Sequence, residues 1–178
     1  FSWDKYHVLC YTFYVFYLDY WKKTKMKFEN RVYPNKEQMK GFFKENNDDQ
    51  AVFMVNLLKF KDKAEYKDGR ETNLSGYEAY SIYAKIIEKH LKEIGGELIF
   101  KSKITRMAIG KVEELWDAVA IAKWPSKKVM GENMMPSDPE LLEGYQHREA
   151  GLAGQLNIES VDMDFSDWYK YLIMGLIK

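Results

Sequence analysis

The chain is poor in cysteine, histidine and proline, with one, three and four of them among 178 residues. The single thiol, Cys10, excludes a scaffold held by disulfides within the chain and favours a reducing compartment, so we expect a cytoplasmic protein. Glu143 and His147 lie four residues apart on a predicted helix, but no second pair of metal ligands has useful spacing. We therefore expect neither a metal nor an organic cofactor.

Excess charge of one sign is also lacking, because 27 basic and 27 acidic residues cancel. A nucleic-acid-binding domain normally carries a basic surface, so no nucleic-acid partner is expected. The sequence contains no serine nucleophile elbow, no phosphate-binding loop of the Walker type and no dinucleotide fingerprint. Covalent hydrolysis and nucleotide chemistry are therefore not expected.

A membrane-spanning helix needs about 20 apolar residues. The aromatic run over residues 7–20 is shorter and contains Thr12 and Asp19, and no small-residue cleavage site of a signal peptide follows it. Two interpretations of residues 1–25 remain. They are an appendage or upstream extension of the folded domain, or a membrane-surface anchor in which aromatic residues precede basic ones. The remaining sequence predicts one domain over residues 26–160 and a C-terminal tail over residues 161–178.

The segment Ala51–Phe60 is the centre of the predicted fold. It is an apolar run between two polar clusters, which is typical of a buried strand. Alternation places Met54, Asn56 and Leu58 on one face and leaves the opposite face equally apolar. Both faces of this strand are therefore expected to be covered.

Helical and strand periodicity predict the other elements. Two capping boxes, at Asn35 and Ser75, predict the starts of two helices. Small alanines along one face of the third strand leave room either for a closely packed helix or for a ligand. The predicted elements are helices over about 36–45, 76–93, 126–135 and 138–149, and strands over 98–109, 116–124 and 155–161.

This order of elements predicts an α+β fold, a ferredoxin-like β-α-β-β-α-β antiparallel sheet with helices on one face. The other face of the sheet is apolar as well, and the usual way to keep it from water is to pack it against a second copy. A homodimer with two facing sheets is therefore expected.

The motifs Asn56-Leu57-Leu58-Lys59-Phe60 and His147-Arg148-Glu149-Ala150-Gly151-Leu152, together with residues 76–83, resemble a domain-of-unknown-function family of the dimeric α/β-barrel superfamily. The resemblance covers about residues 26–159. It implies a homodimer, and a relationship to small cofactor-independent monooxygenases and isomerases. It implies no particular reaction, because that family has none assigned.

Asn56 is the most informative polar residue, because an amide in the middle of an apolar strand must find hydrogen-bond partners. Two interpretations are open. The amide is either satisfied by neighbouring backbone, or it lines a pocket and binds a carbonyl or oxyanion of a substrate.

Four further residues are candidates for a site. Arg148 is suited to hold a carboxylate with two parallel hydrogen bonds, and His147 to move a proton near neutral pH. The alternatives are an ion pair at the domain edge and a surface histidine. Tyr80 and Tyr83 are suited to present hydroxyls to a substrate, although tyrosines at helical spacing are commonly core residues. The hypothesis is thus catalytic His147 and Arg148, with Asn56, Tyr80 and Tyr83 binding the substrate.

The leading hypothesis for function is a small-molecule-binding domain, with monooxygenase- or isomerase-like activity on a small, anionic organic substrate. The alternative is a ligand-binding or dimerisation module without catalysis. Ionisable groups with shifted pKa values around one cavity would favour an enzyme. A cavity lined by apolar side chains and satisfied amides would favour the module.

Overall fold

The computed structural model describes residues 28–44, 50–133 and 137–162. The predictions for residues 1–25 and for most of the C-terminal tail therefore lie outside the described residues. In the described part, no helix is long and apolar enough to cross a membrane. In chain order, the elements are α1 (Lys36–Lys44), β1 (Val52–Phe60), α2 (Gly76–Glu93), β2 (Glu97–Lys103), β3 (Ala118–Trp124), α3 (Lys127–Glu132), α4 (Pro139–Gly151) and β4 (Leu152–Ser160).

The four strands form one sheet in the order β2-β3-β1-β4, and every neighbouring pair is antiparallel. The first strand is central, between the third and the fourth. This order, with one helix between β1 and β2 and others between β3 and β4, confirms the predicted α+β, ferredoxin-like fold. Arg31 extends the sheet beyond β4 through two backbone hydrogen bonds with Gln155, of 3.0 and 3.1 Å.

The two faces of β1 differ in what covers them. Val52 and Met54 belong to a buried core cluster with Leu91 of α2 and Trp124 of β3, so the even-numbered residues of β1 face the helices. Residues opposite each other on antiparallel neighbours share a face, and Asn56 lies opposite Ala120 and Asn157. Asn56 therefore lies on the helix-covered face, where the sequence pattern had grouped it with Met54 and Leu58.

Both predicted capping boxes are present. Asn35 Oδ1 accepts a hydrogen bond of 2.8 Å from the backbone N–H of Gln38, whose side chain accepts one of 2.8 Å from the N–H of Asn35. Ser75 and Glu78 make the same reciprocal pair at the start of α2. Each box satisfies N–H groups that have no partner in the first helical turn.

Two strand predictions were wrong in extent. The strand predicted over residues 98–109 ends at Lys103, because its partner β3 begins only at Ala118 and residues 104–117 form the connection. Ile109, part of the predicted alternation, is 91% exposed. The last strand begins at Leu152, directly after α4, whereas the sequence predicts its start at residue 155.

Gly151 lies in a close backbone contact that leaves no room for a side chain. A Cβ on Gly151 would collide with the carbonyl oxygen of Gly76, and one on Gly76 would collide with the carbonyl oxygens of Gly151 and Lys61. The N–H of Lys61 donates to the Gly151 carbonyl at 2.9 Å, and the N–H of Gly76 donates to the Lys61 carbonyl at 3.0 Å. Glycine at both positions lets α2, α4 and the end of β1 meet.

Candidate functional site

A cavity of about 1580 Å³ lies between the helices and the sheet. Residues of α2 and α4 line it on one side, and residues of the strands line it on the other. Typical small-molecule pockets enclose about 300–1,000 Å³, so this space accommodates an organic ligand.

The sheet forms the floor of the cavity. Ala118, Ala120 and Ala122 of β3 line it, together with even-numbered residues of β1 such as Asn56 and Leu58. The sequence left open whether these alanines admit a closely packed helix or open space. In the structure their short side chains border the cavity.

Aromatic side chains from the helices form the opposite wall. The ring centroids of Tyr80 and Tyr83 are 5.4 Å apart, and those of Tyr83 and Tyr145 are 5.6 Å apart. Phe60, at the end of β1, reaches this wall with its centroid 5.3 Å from that of Tyr80. The two predicted tyrosines therefore line the cavity, side by side with a third from α4.

Burial keeps the three tyrosine hydroxyls neutral. Burial raises the pKa of Tyr80 to about 12, and it also raises the pKa values of Tyr83 and Tyr145, against the opposing effect of the Arg148 charge. In the described part of the chain, none of the three hydroxyls makes a hydrogen bond. Every side-chain nitrogen or oxygen there that is inaccessible to solvent does have a partner, so these three oxygens are accessible. The three hydroxyls therefore open into the cavity as hydrogen-bond donors.

Arg148 is 9% exposed and lines the same cavity. One of its terminal nitrogens, Nη2, donates to the carbonyl of Val32 at 2.8 Å, and its Cζ lies 5.7 Å from the ring centroid of Tyr33. Among the described residues no carboxylate lies within ion-pair distance of it. The ion pair considered from the sequence is therefore not formed there, and the buried guanidinium keeps unused donors.

Asn56 uses its amide hydrogens within the sheet. Its Nδ2 donates to the carbonyl of Met54 at 2.9 Å and, at a longer 3.4 Å, to the carbonyl of Ala120. In the described part of the chain, Oδ1 accepts no hydrogen bond. The sequence had suggested an amide that donates to a substrate; in the structure the free polar atom is an acceptor.

His147 lies apart from these groups. It is not among the cavity-lining residues, and its Nδ1 is 2.6 Å from the hydroxyl of Tyr66, while its Nε2 is 3.4 Å from Glu143. Arg70 completes this group of residues by binding Glu143 at 2.7 Å and Gln146 at 2.6 Å. Burial lowers the pKa of His147. The structure thus brings together Asn56, Tyr80, Tyr83 and Arg148, and leaves His147 on another side of α4.

The His147 group does not form a metal centre. No three histidine, cysteine or carboxylate side chains within the described ranges are placed to hold an ion together. The groups that sequence reasoning missed are Tyr145, the ring of Tyr33 and the Val32 carbonyl. Tyr145 could have been found, because Leu141, Tyr145 and Arg148 follow helical spacing along one face of α4.

Two solved structures resemble this chain over most of its length. The methylated RPA0582 protein is 30% identical, and the match has a TM-score of 0.66 and covers 78% of this chain and 98% of that one. A second structure of RPA0582, a protein of unknown function from Rhodopseudomonas palustris, is 28% identical, with a TM-score of 0.65 and coverage of 76% and 99%.

A more distant similarity is to a dimeric protein of unknown function and ferredoxin-like fold from Bacteroides fragilis NCTC 9343. It is 11% identical, with a TM-score of 0.42 and coverage of 63% of this chain and 96% of that one. No protein-family model and no curated protein sequence matches the chain.

Proposed function

The chain belongs to the same family as the RPA0582 protein of Rhodopseudomonas palustris. From the geometry of the cavity we propose that it binds a small organic anion there. Arg148 is the residue that would hold the anionic group. The observation that carries the proposal is that the Arg148 guanidinium is buried, faces the cavity and has no carboxylate partner among the described residues.

The free-energy cost of burying the Arg148 charge supports this proposal. Removing a charge from water costs several kcal/mol unless an opposite charge or several hydrogen bonds compensate. Arg148 has one carbonyl and one aromatic ring. A carboxylate would satisfy the remaining guanidinium donors in a planar, two-bond geometry.

The surroundings fit an organic anion better than an inorganic one. The tyrosine wall and the alanine floor are largely apolar, with a few free hydroxyls set among them. Ligand sites of this kind bind an apolar body and orient it with a small number of polar contacts.

The experiment is a calorimetric titration of the full chain with a panel of arylalkyl carboxylates and the matching neutral amides. We expect the carboxylates to bind more tightly than the amides, and Arg148→Lys to weaken carboxylate binding about tenfold, because an ammonium cannot reproduce the planar fork. Arg106→Lys is the matched control, since Arg106 is exposed and outside the cavity. Equal binding of acids and amides would refute the proposal.

Catalysis is not required by this proposal. The catalytic role predicted for His147 needs its imidazole next to the substrate. Its ring instead contacts Tyr66 and Glu143 outside the cavity. Isomerase- or monooxygenase-like turnover therefore stays a prediction, with the neutral tyrosine hydroxyls as the groups suited to stabilise an enolate.

We also propose that two copies associate through the sheet face that the helices do not cover. Val55, Leu57 and Ile121 lie on that face, and Phe100, opposite Ile121, is 49% exposed. A continuous apolar surface of this kind marks an interaction site. Sedimentation equilibrium of the full chain should give twice the monomer mass at micromolar concentration, and Val55→Lys should shift it towards monomer. A monomer for the unaltered chain would refute this second proposal.

A further inference from the structure

Asn56 presents an acceptor to the cavity, and this restricts what the ligand carries. Resting on the proposed function, we infer that the ligand of this site is an organic carboxylate that also bears a hydrogen-bond donor, such as a hydroxyl, at the end remote from its anion. Arg148 would bind the anion and Asn56 Oδ1 would accept from the donor.

The orientation of the amide follows from its neighbours. A side-chain amide has two N–H donors on one atom and an acceptor on the other. The carbonyl oxygens of Met54 and Ala120 both lie on the Nδ2 side, at 2.9 and 3.4 Å. The reverse orientation would place Oδ1 against two carbonyl oxygens, which repel it. The acceptor is therefore the atom left for a ligand.

The position of Asn56 leaves this acceptor accessible. Its cross-strand neighbour on one side is Ala120, whose side chain is a single methyl group. On the other side is Asn157, whose side chain makes no hydrogen bond within the described ranges. Asn56 lines the cavity, and within the described residues no side-chain oxygen without a hydrogen-bond partner is closed off from solvent. The unpaired Oδ1 is therefore accessible to a hydroxyl in the cavity.

The anion site and the acceptor lie on different walls. Arg148 belongs to α4 in the helix layer, while Asn56 belongs to the central strand of the sheet. A ligand that reaches both must cross the space between the layers. Phe60 and Tyr80 line the same cavity with their ring centroids 5.3 Å apart, so an apolar ligand body is suited to it. A phenylpropanoate with a hydroxyl on its ring combines an anion, an apolar body and a remote donor.

The test compares three probes that share the carboxylate: 3-phenylpropanoate, its 4-hydroxy derivative and its 4-methoxy derivative. The methoxy oxygen keeps the size of the substituent without donating. In titrations of the full chain we expect the hydroxy probe to bind about tenfold more tightly than the other two, as one hydrogen bond to a buried acceptor would give. This comparison needs no altered protein.

Asn56→Leu identifies the acceptor. We expect this variant to bind all three probes within about twofold of one another, because leucine is close in size and cannot accept. A hydroxyl advantage that survives in Asn56→Leu would assign the contact to another group and overturn the inference.

The two proposals fail in different ways. If all three probes bind equally to the unaltered chain and Arg148→Lys weakens each of them, the inference is wrong and the proposed anion site stands. If no probe shows binding that depends on Arg148, the proposed function is refuted and the inference falls with it.

Discussion

Two adjacent residues of α4, His147 and Arg148, have opposite surroundings. Around His147 the polar groups are paired: its ring meets Tyr66 and Glu143, and Arg70 binds Glu143 while its Cζ lies 4.0 Å from the Tyr66 ring centroid. Around Arg148 the donors outnumber the acceptors, and its only hydrogen bond in the described part of the chain goes to a backbone carbonyl.

This contrast separates a structural cluster from a ligand site. A network whose members satisfy one another fixes the loop after β1 against α4 and needs nothing further. Polar groups left open towards a cavity are costly until a ligand binds. The comparison predicts that substitutions in the network around His147 alter the free energy of unfolding, and that substitutions around Arg148 in the cavity alter ligand affinity.

The largest expected effect is in Arg148→Leu. We expect loss of about 100-fold in carboxylate affinity, because truncating a charged partner of an anion costs a few kcal/mol. The free energy of unfolding should not decrease by more than about 1 kcal/mol, since the substitution removes a buried charge whose desolvation opposes folding. Calorimetry and urea denaturation measure the two quantities.

Arg70→Leu is the matched change on the other side of α4. Affinity should stay within about twofold of the unaltered chain, because Arg70 does not line the cavity. A large loss of affinity in this variant would remove the distinction between the two sides.

A smaller effect is expected from two hydroxyl deletions. Tyr66→Phe removes the 2.6 Å hydrogen bond to His147 and should lower the free energy of unfolding by about 1 kcal/mol without changing affinity. Tyr80→Phe should leave stability nearly unchanged and weaken carboxylate binding by about threefold to tenfold, the value of one hydrogen bond. Equal effects of both variants on stability would show that Tyr80 is only a core residue.

The smallest effect concerns pH. Burial lowers the pKa of His147 in the folded state below its ordinary value, with Arg70 acting in the same direction and Glu143 opposing. The unfolded chain then binds the proton more readily. The stabilisation is therefore present above the ordinary histidine pKa of about 6.5 and is lost as pH falls through the folded-state pKa. Denaturation at pH 7.5 and 5.5 should show a smaller decrease for His147→Gln than for the unaltered chain.

The sequence predicted the faces of the elements better than the space between them. The two-residue period of β1 grouped Asn56 with Met54 and Leu58 on one face, and helical spacing aligns Arg148 with Tyr145. The depth of the cavity depends on how far α4 stands from the sheet, and no local pattern determines that distance. The Val32 carbonyl, 116 residues before Arg148, likewise becomes its partner only through the fold.

The sequence predicted catalytic roles for both His147 and Arg148, from the chemistry of each side chain. Neighbours on a helix are rotated by about 100°, so they do not face the same space. The length of β2 was overestimated because the alternation of the sequence continues to residue 109. A strand ends where its neighbour stops pairing with it, and the antiparallel neighbour β3 begins only at Ala118, opposite Lys103.

The direct passage from α4 into β4 affects how the site responds to a ligand. Arg148 lies three residues before Gly151, whose carbonyl is held by Lys61 and whose Cα faces the backbone of Gly76. The next residue, Leu152, is 1% exposed and already paired with Phe60. The backbone that carries Arg148 thus has little freedom to lose. Ordering one such side chain costs about 0.5–1.5 kcal/mol, and a fixed backbone keeps the total conformational entropy cost of capturing a small anion near that value.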